Sequence, residues 1–302
     1  MANVTPTVAA AFIPELWAQR ALDYMRSNIA LARLVTRDTD ISAFNVGDVL
    51  HIPYPGKFSA ADKSPDTAIT PAAPSGGGEI TVTLNKHKHV TFLVEDVARA
   101  QANQDLMDLY IRGASVALAE QIETDLFALY SGLSQSVGTS GTDLSEDTVL
   151  AAKKKLDDAK VARAGRFMVI SSKDENALLK VDRFTRADAI ARGGVPIGEG
   201  QLGRIHGFDV YMSQLVPVVT GTPNSTKNLA GTREMFILAM RGLPEPPPNS
   251  GARAATITDP QSGLVIRVLY AYNPSHLGVQ ITLDVLYGVA ELRDAAGVVV
   301  LS

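Results

Sequence analysis

Apolar residues first recur at helical spacing. In residues 12 to 34, "FIPELWAQRALDYMRSNIALARL", Trp17, Leu22, Tyr24, Met25, Ile29 and Leu34 are interrupted by Arg20, Asp23 and Ser27, a mixed pattern after Pro14 that predicts an N-terminal helical arm. The period then changes to two. In "ISAFNVGDVLHIPYP", residues 41 to 55, Phe44, Val46, Leu50, Ile52 and Tyr54 fall on even positions, which predicts a strand broken only by Ser42 and Asp48. Residues 56 to 78 hold Pro65, Pro71, Pro74 and three consecutive glycines, and read as a long loop without a core of its own. Such a loop in a compact domain is expected to project and meet another chain. The return segment, 79 to 95, places Ile80, Val82, Leu84, Val90, Phe92 and Val94 on one face and Thr81, Thr83, Asn85, His87, His89 and Thr91 on the other. Read as one strand it would be about 50 Å long at 3.3 Å per residue, an arm. Only Lys86 and Lys88 break its apolar stripe, as Asp48 breaks that of the preceding strand. An antiparallel hairpin that sets Asp48 opposite Lys86 or Lys88 keeps the large apolar side chains together, so this pairing is expected to set the register.

Residues 96 to 131 return to helical spacing, with Ile111, Ala114, Leu118, Ile122, Leu126 and Leu129 three or four apart and Gly132 as the stop. Counted from Gln104, the helix would be about 40 Å long, a strut. Farther on, Ser145 is the expected N-cap of a helix with Glu146 and Asp147 in its first turn. "RFMVISSKDENALLKV" reads as strand, turn and helix, with Ser172 and Glu175 spaced as a capping box. "GLPEPPPNSG", 242 to 251, is a stiff extended loop. Three strand patterns close the chain: "LVIRVLYAYN", "GVQITLDVLYGVAEL" and "GVVVL". There is no internal repeat.

Composition narrows the function. The chain of 302 residues is 46% hydrophobic and 20% charged, a globular composition, and no apolar run approaches the roughly 18 residues of a membrane span. Cysteine is absent, which excludes disulfides and thiolate chemistry. A formal charge of −4 with dispersed Lys and Arg argues against a dedicated nucleic-acid binder, so contact with DNA is expected to be non-specific. His87 and His89 lie about 7 Å apart on one strand face, but no third ligand is near in sequence and both read as solvated or interfacial. Gly198 to Gly203 satisfies G-x-G-x-x-G, yet "RIHGFDVYM" after it reads as a strand, not a helix, and no acidic residue sits about twenty positions on. Gly76 to Gly78 precedes a strand and offers no helix N-terminus to a phosphate. No nucleophile elbow or H-E-x-x-H is present, and no catalytic residue, cofactor or metal site is expected.

The order of elements, helical arm, two-stranded arm, strut helix, mixed domain and returning strands, resembles the major capsid proteins of tailed bacteriophages with the Hong Kong 97 fold. The resemblance is most specific at "GRIHGFDVYMSQLVP", 203 to 217, and is supported by "RFMVISSKDENALL" and "LDVLYGVAELRDAAGVVVL". It implies an α+β chain with an N-terminal arm (1–40), an extended loop overlapping a neighbouring subunit (41–90), a peripheral domain with its spine helix (91–135) and an axial domain (136–254). Peripheral return strands (255–290) and a C-terminal strand (291–302) would follow. It further implies self-assembly through pentamers and hexamers into a virion shell around packaged double-stranded DNA, built in the host cytoplasm. A portal, a separate scaffolding protein and a decoration protein are the implied partners; the start at Met1 is what makes the scaffold a separate chain. Some relatives weld subunits through a loop lysine and a neighbour's asparagine, for which Lys57 or Lys63 and Asn273 would be the positions here. The alternatives are an encapsulin-like compartment and a cytosolic α/β enzyme using residues 167 to 216.

Overall fold

The protein is described by a computed structural model over residues 17–25, 29–38, 49–54, 58–69, 71, 78–97, 106–181, 203–247, 251–258 and 263–302. Asp48, Lys57, Gln104, the strand start at 41–48, Gly76 and Gly77, and Gly198 to Leu202 lie outside these residues.

Helical residues 17–25 (α1) bury Ala18, Ala21, Leu22 and Met25, and a single turn, α2 (Leu31–Leu34), follows. Strands β1 (Thr36–Asp38), β2 (Val49–Tyr54), β3 (Gly78–Thr83) and β4 (Lys86–Glu95) lead to α3 (Leu106–Phe127). This helix has 22 residues, about 33 Å. It tightens into a 3-10 turn, Ala128–Gly132, so Gly132 ends it as expected. Ile111, Ala114, Leu118, Ile122 and Leu126 are buried, the stripe that the spacing predicted. Among the described residues no helix is long and apolar enough to cross a membrane.

Next come β5 (Ser136–Gly138), α4 (Glu146–Asp158), β6 (Phe167–Ile170), α5 (Ser172–Leu179), β7 (Arg204–Ile205), β8 (Phe208–Met212), β9 (Val218–Val219) and β10 (Ser225–Gly231). Ser145 caps α4, its Oγ accepting the Thr148 N–H at 3.3 Å. The cap of α5 is Ser171, one residue before the expected Ser172, because its Oγ both accepts the Asp174 N–H and donates to the Asp174 carboxylate at 2.7 Å. β7 and β8 form a hairpin whose two turn residues, His206 and Gly207, both have positive φ, at 49° and 95°. The chain closes with β11 (Phe236–Arg241), β12 (Ala252–Thr258), β13 (Val265–Asn273), β14 (Gly278–Glu291) and β15 (Gly297–Leu301). The last three match the three closing strand patterns.

Among the described residues the strands form three sheets. The first runs β1-β11-β14-β13-β12; β13 and β11 follow one another along one edge of β14, and β4 takes the other edge, from Gly278 opposite Glu95 to Tyr287 opposite Lys86. The second runs β5-β15-β10-β6-β8-β7, with β9 also on β10. The third is the hairpin of β2 and β3. The expected domain boundary at 254 does not coincide with the sheets, since β11 and β12 already belong to the first.

Each large sheet uses both faces. One face of the second packs under α4 and α5 through Met168, Ile170, Ala230, Val298 and Val300. The opposite residues, Phe167, Val169, Leu229 and Val299, join the core that holds α1, α3 and the first sheet. Alternation along each strand produces this division from the sequence.

Candidate intersubunit arm and its anchors

The arm is built from β2, β3 and the loop between them. Apolar residues face each other across it, Leu50 opposite Val82 and Ile52 opposite Ile80, while His51 Nδ1 meets Glu79 Oε1 at 3.1 Å on the exposed side. Its base is not free. Leu50, Val82 and Leu84 are buried against Ile237 and Ala239 of β11, with Leu286 and Ala290 of β14 beside them. The described part of the tip, 58–69, is exposed throughout, and Phe58 and Ile69 show 71% and 78% of their surfaces.

The expected single 16-residue strand is therefore two. Pairing with β2 stops at Thr83, the Asn85 N–H turns back to the Thr83 carbonyl at 3.1 Å, and β4 joins the first sheet. Leu286 and Ala290 alternate with Val285 and Tyr287, so β3 lies on the face of the first sheet away from α3. Val90, Phe92 and Val94 of β4 lie opposite Leu283, Ile281 and Val279 and face α3, where the Phe92 ring is 5.5 Å from that of Tyr110. One stripe thus covers opposite faces of one sheet. The crossing is at Gly288, where a Cβ would stand 2.3 Å from the Thr83 carbonyl oxygen.

Lys86 and Lys88 accordingly sit in β4 and not in the strand that pairs with β2. The Lys86 ammonium lies 3.2 Å from Asp125 Oδ1 on α3, and the Tyr287 hydroxyl donates to Asp125 Oδ2 at 2.6 Å. This cluster ties β4, α3 and β14 together. Burial works against the Asp125 charge, but the Tyr287 and Lys86 hydrogen bonds outweigh it and hold the carboxyl below its ordinary range. Burial first, then Asp125, pushes the Tyr287 phenol far above its own.

Two further anchors were not among the expected site residues. Glu123 on α3 is 1% exposed, and its carboxylate accepts the backbone N–H groups of Ala30 at 3.0 Å, Leu31 at 3.0 Å and Ala32 at 2.8 Å. It clasps the N-terminal segment to the long helix. Burial raises its pKa above the usual carboxylate value, against the opposing pull of those three bonds. On the first sheet's other face Asp284, 3% exposed, receives Arg267 Nε at 3.0 Å and Nη2 at 2.5 Å, and His87 Nε2 lies 3.0 Å from its Oδ2. Arg267 Nη1 also reaches the Pro244 carbonyl, at the start of the proline loop. A signal for this pair existed: each charge interrupts an apolar strand run, and the register sets them directly opposite.

An Arg267→Met variant leaves the buried Asp284 carboxylate with only His87 and should cost about 3 kcal/mol in urea unfolding. Adding Asp284→Leu should restore most of that loss, since no unpaired charge then remains. A single variant as stable as the double would contradict the assignment.

His87 thus serves Asp284 and both histidines are exposed; among the described residues no group of His, Cys, Asp and Glu could hold a metal. Lys63 donates to the Ser64 carbonyl at 2.6 Å and is 3.5 Å from Thr67 Oγ1, within the turn of the tip. Asn273 caps the β13–β14 turn, its Oδ1 accepting the Ser275 N–H at 3.0 Å and its amide reaching Gln280 at 3.3 Å. Neither is bonded to the other within the chain.

The family model described as phage capsid protein matches residues 57–299. No curated protein matches the chain. Solved structures share the fold. That of Mycobacterium phage Che8 is 20% identical with a TM-score of 0.64, covering 90% of each chain. The capsid of cyanophage P-SCSP1u is 15% identical with a TM-score of 0.65, over 90% of this chain and 87% of the other. A virus-like particle from Pyrococcus furiosus is 12% identical with a TM-score of 0.54, over 95% and 98%. The enzyme alternative for residues 167 to 216 gives way, because that stretch lies inside the family match. The α+β fold agrees with that match, which spans most of the chain, and the chain belongs to the phage capsid protein family.

Proposed function

We propose that copies of this chain close head to tail into pentamers and hexamers and build an icosahedral head shell around packaged double-stranded DNA. The exposed tip of the arm supports this reading most directly. Phe58 and Ile69 stand at the end of a hairpin whose base is already buried, so the tip is the part left to lie on a neighbouring copy. Residues 41–90 are then the extended loop and α3 the spine of a peripheral domain, with the second sheet as the axial domain around the ring centres. Many modest contacts of this kind add up to a closed shell. Assembly takes place in the host cytoplasm with a separate scaffolding protein and a portal, and a decoration protein can bind the finished surface. The expected pairing of Asp48 with Lys86 or Lys88 is not part of this reading, because both lysines belong to β4 and Lys86 is held by Asp125 on the α3 side of the first sheet.

A compartment of the encapsulin type is the second reading, favoured by the likeness to the Pyrococcus furiosus particle. Contents decide between them. Purified particles are expected to be megadalton shells holding nuclease-resistant DNA; cargo protein in place of DNA would select the compartment, and a small oligomer would reject both. On the same particles a ladder of multimers in denaturing electrophoresis would reveal a weld between Lys57 or Lys63 and Asn273 of a neighbouring copy. A single band at the monomer mass would remove it.

A further inference from the structure

Where the second sheet hands the chain back to the first, a cavity of about 340 Å³ opens between the loop 160–165 and the connection 232–234, with Arg293 beside it. We propose that it binds a phosphate-class oxyanion, a chemistry that shell formation itself does not require.

Three cationic side chains and one carboxylate line it: Lys160, Arg233, Arg293 and Glu234. Arg293 Nη1 donates to Glu234 Oε2 at 2.9 Å, which neutralises that carboxylate locally. Among the described residues Lys160 and Arg233 have no carboxylate partner. Thr232 is 7% exposed, and its buried Oγ1 has no hydrogen-bond partner among them, a cost that a protein normally avoids. A cation would meet excess positive charge here, and an apolar ligand would strip water from charged groups; an oxyanion satisfies both guanidinium and ammonium donors.

The two walls are also fixed in advance. The Thr232 N–H donates to the Ala296 carbonyl at 3.0 Å, and its own carbonyl accepts the Met235 N–H at 3.0 Å. Across the cavity the buried Arg166 guanidinium donates to the Val161 and Ala162 carbonyls at 2.7 and 3.0 Å and is itself held by Asp157 at 2.8 Å. A cradle set by backbone bonds loses little entropy when it binds. An anion seated there joins the loop before β6 to both connections between the sheets, and it stabilises the junction by mass action.

The ligand is either free phosphate or a phosphate of the nucleic-acid backbone. The purified full-length protein is heated in increasing sodium phosphate, with ionic strength held constant by sodium chloride. A saturable rise in Tm of about 2 °C or more is expected. In K160Q/R233Q the half-saturating phosphate concentration should rise about tenfold or more, with Tm in chloride alone unchanged. T232V, which keeps the shape and removes the hydroxyl, should weaken the response in the same direction. A rise that does not saturate, or one equal in wild type and K160Q/R233Q, overturns the site. A short duplex oligonucleotide then replaces phosphate: a response lost in K160Q/R233Q identifies a backbone phosphate, and a response to inorganic phosphate alone identifies the free ion. Should K160Q/R233Q not fold, the phosphorus-31 line of phosphate decides on wild type. Broadening reversed by sulfate but not chloride supports the site, and no broadening overturns it.

Discussion

Replacing Glu123 with alanine should cost about 3 kcal/mol and detach the N-terminal segment from the long helix. The substitution leaves the N–H groups of Ala30, Leu31 and Ala32 without their acceptor, two of them in residues with no exposed surface. Each unmet buried donor costs about 1–3 kcal/mol, and removing the buried carboxylate's own desolvation returns only part of that sum. Urea unfolding gives the energy, and limited proteolysis gives the location, since cleavage before residue 36 should accelerate far more than elsewhere. Uniform acceleration along the chain would mean general destabilisation and reject the clasp. The same residue has a pH signature. Its folded pKa is raised, so its contribution is greatest below the unfolded carboxylate value of 4.5 and declines as pH rises through the folded value. Glu123→Gln cannot titrate and should flatten the stability profile above pH 4.5; an unchanged slope would assign it to other groups.

Gly288→Ala should prevent particle formation, although it adds a single methyl group. Its Cβ would stand 2.3 Å from the Thr83 carbonyl oxygen and 2.9 Å from the Thr83 carbonyl carbon, and backbone at that distance has to move. Shifting β3 pulls Val82 and Leu84 from their places against Ile237 and Ala239, at a cost of about 1–3 kcal/mol to the monomer. On the proposed contact of the arm with a neighbouring copy, the effect on assembly is larger, because each arm would point wrongly and the error would recur in every contact of a closed shell. Sedimentation should show dissociated but folded subunits. Normal particles from this variant would show that the crossing is slack.

Local signals carried well. The stripe from Ile111 to Leu126, the cap at Ser145, the stop at Gly132 and the three closing strands were legible because period, cap and glycine act within a few residues. The cap at Ser171 was missed by one position because two adjacent serines offer the same hydroxyl and only the helix start distinguishes them. The arm was legible as an alternating pattern but not as two strands. Parity places Ile80 and Val94 on one face, yet it holds only within an unbroken strand, and the turn at Leu84 and Asn85 moves the chain to the other side of the sheet. Lys86 could not reveal Asp125, nor Glu123 the segment 30–32, because those partners meet only after α3 has packed. The function was legible through the order of whole elements.

In the second sheet β15, residues 297–301, lies between β5 and β10 and pairs with both. During translation β5 and β10 therefore leave the ribosome with the place between them empty, and neither can close the sheet alone. The second sheet gains the strand between β5 and β10 only when residues 297–301 have been made. Until then β10 keeps an unpaired edge on that side, so the second sheet is among the last parts of the described chain that can close.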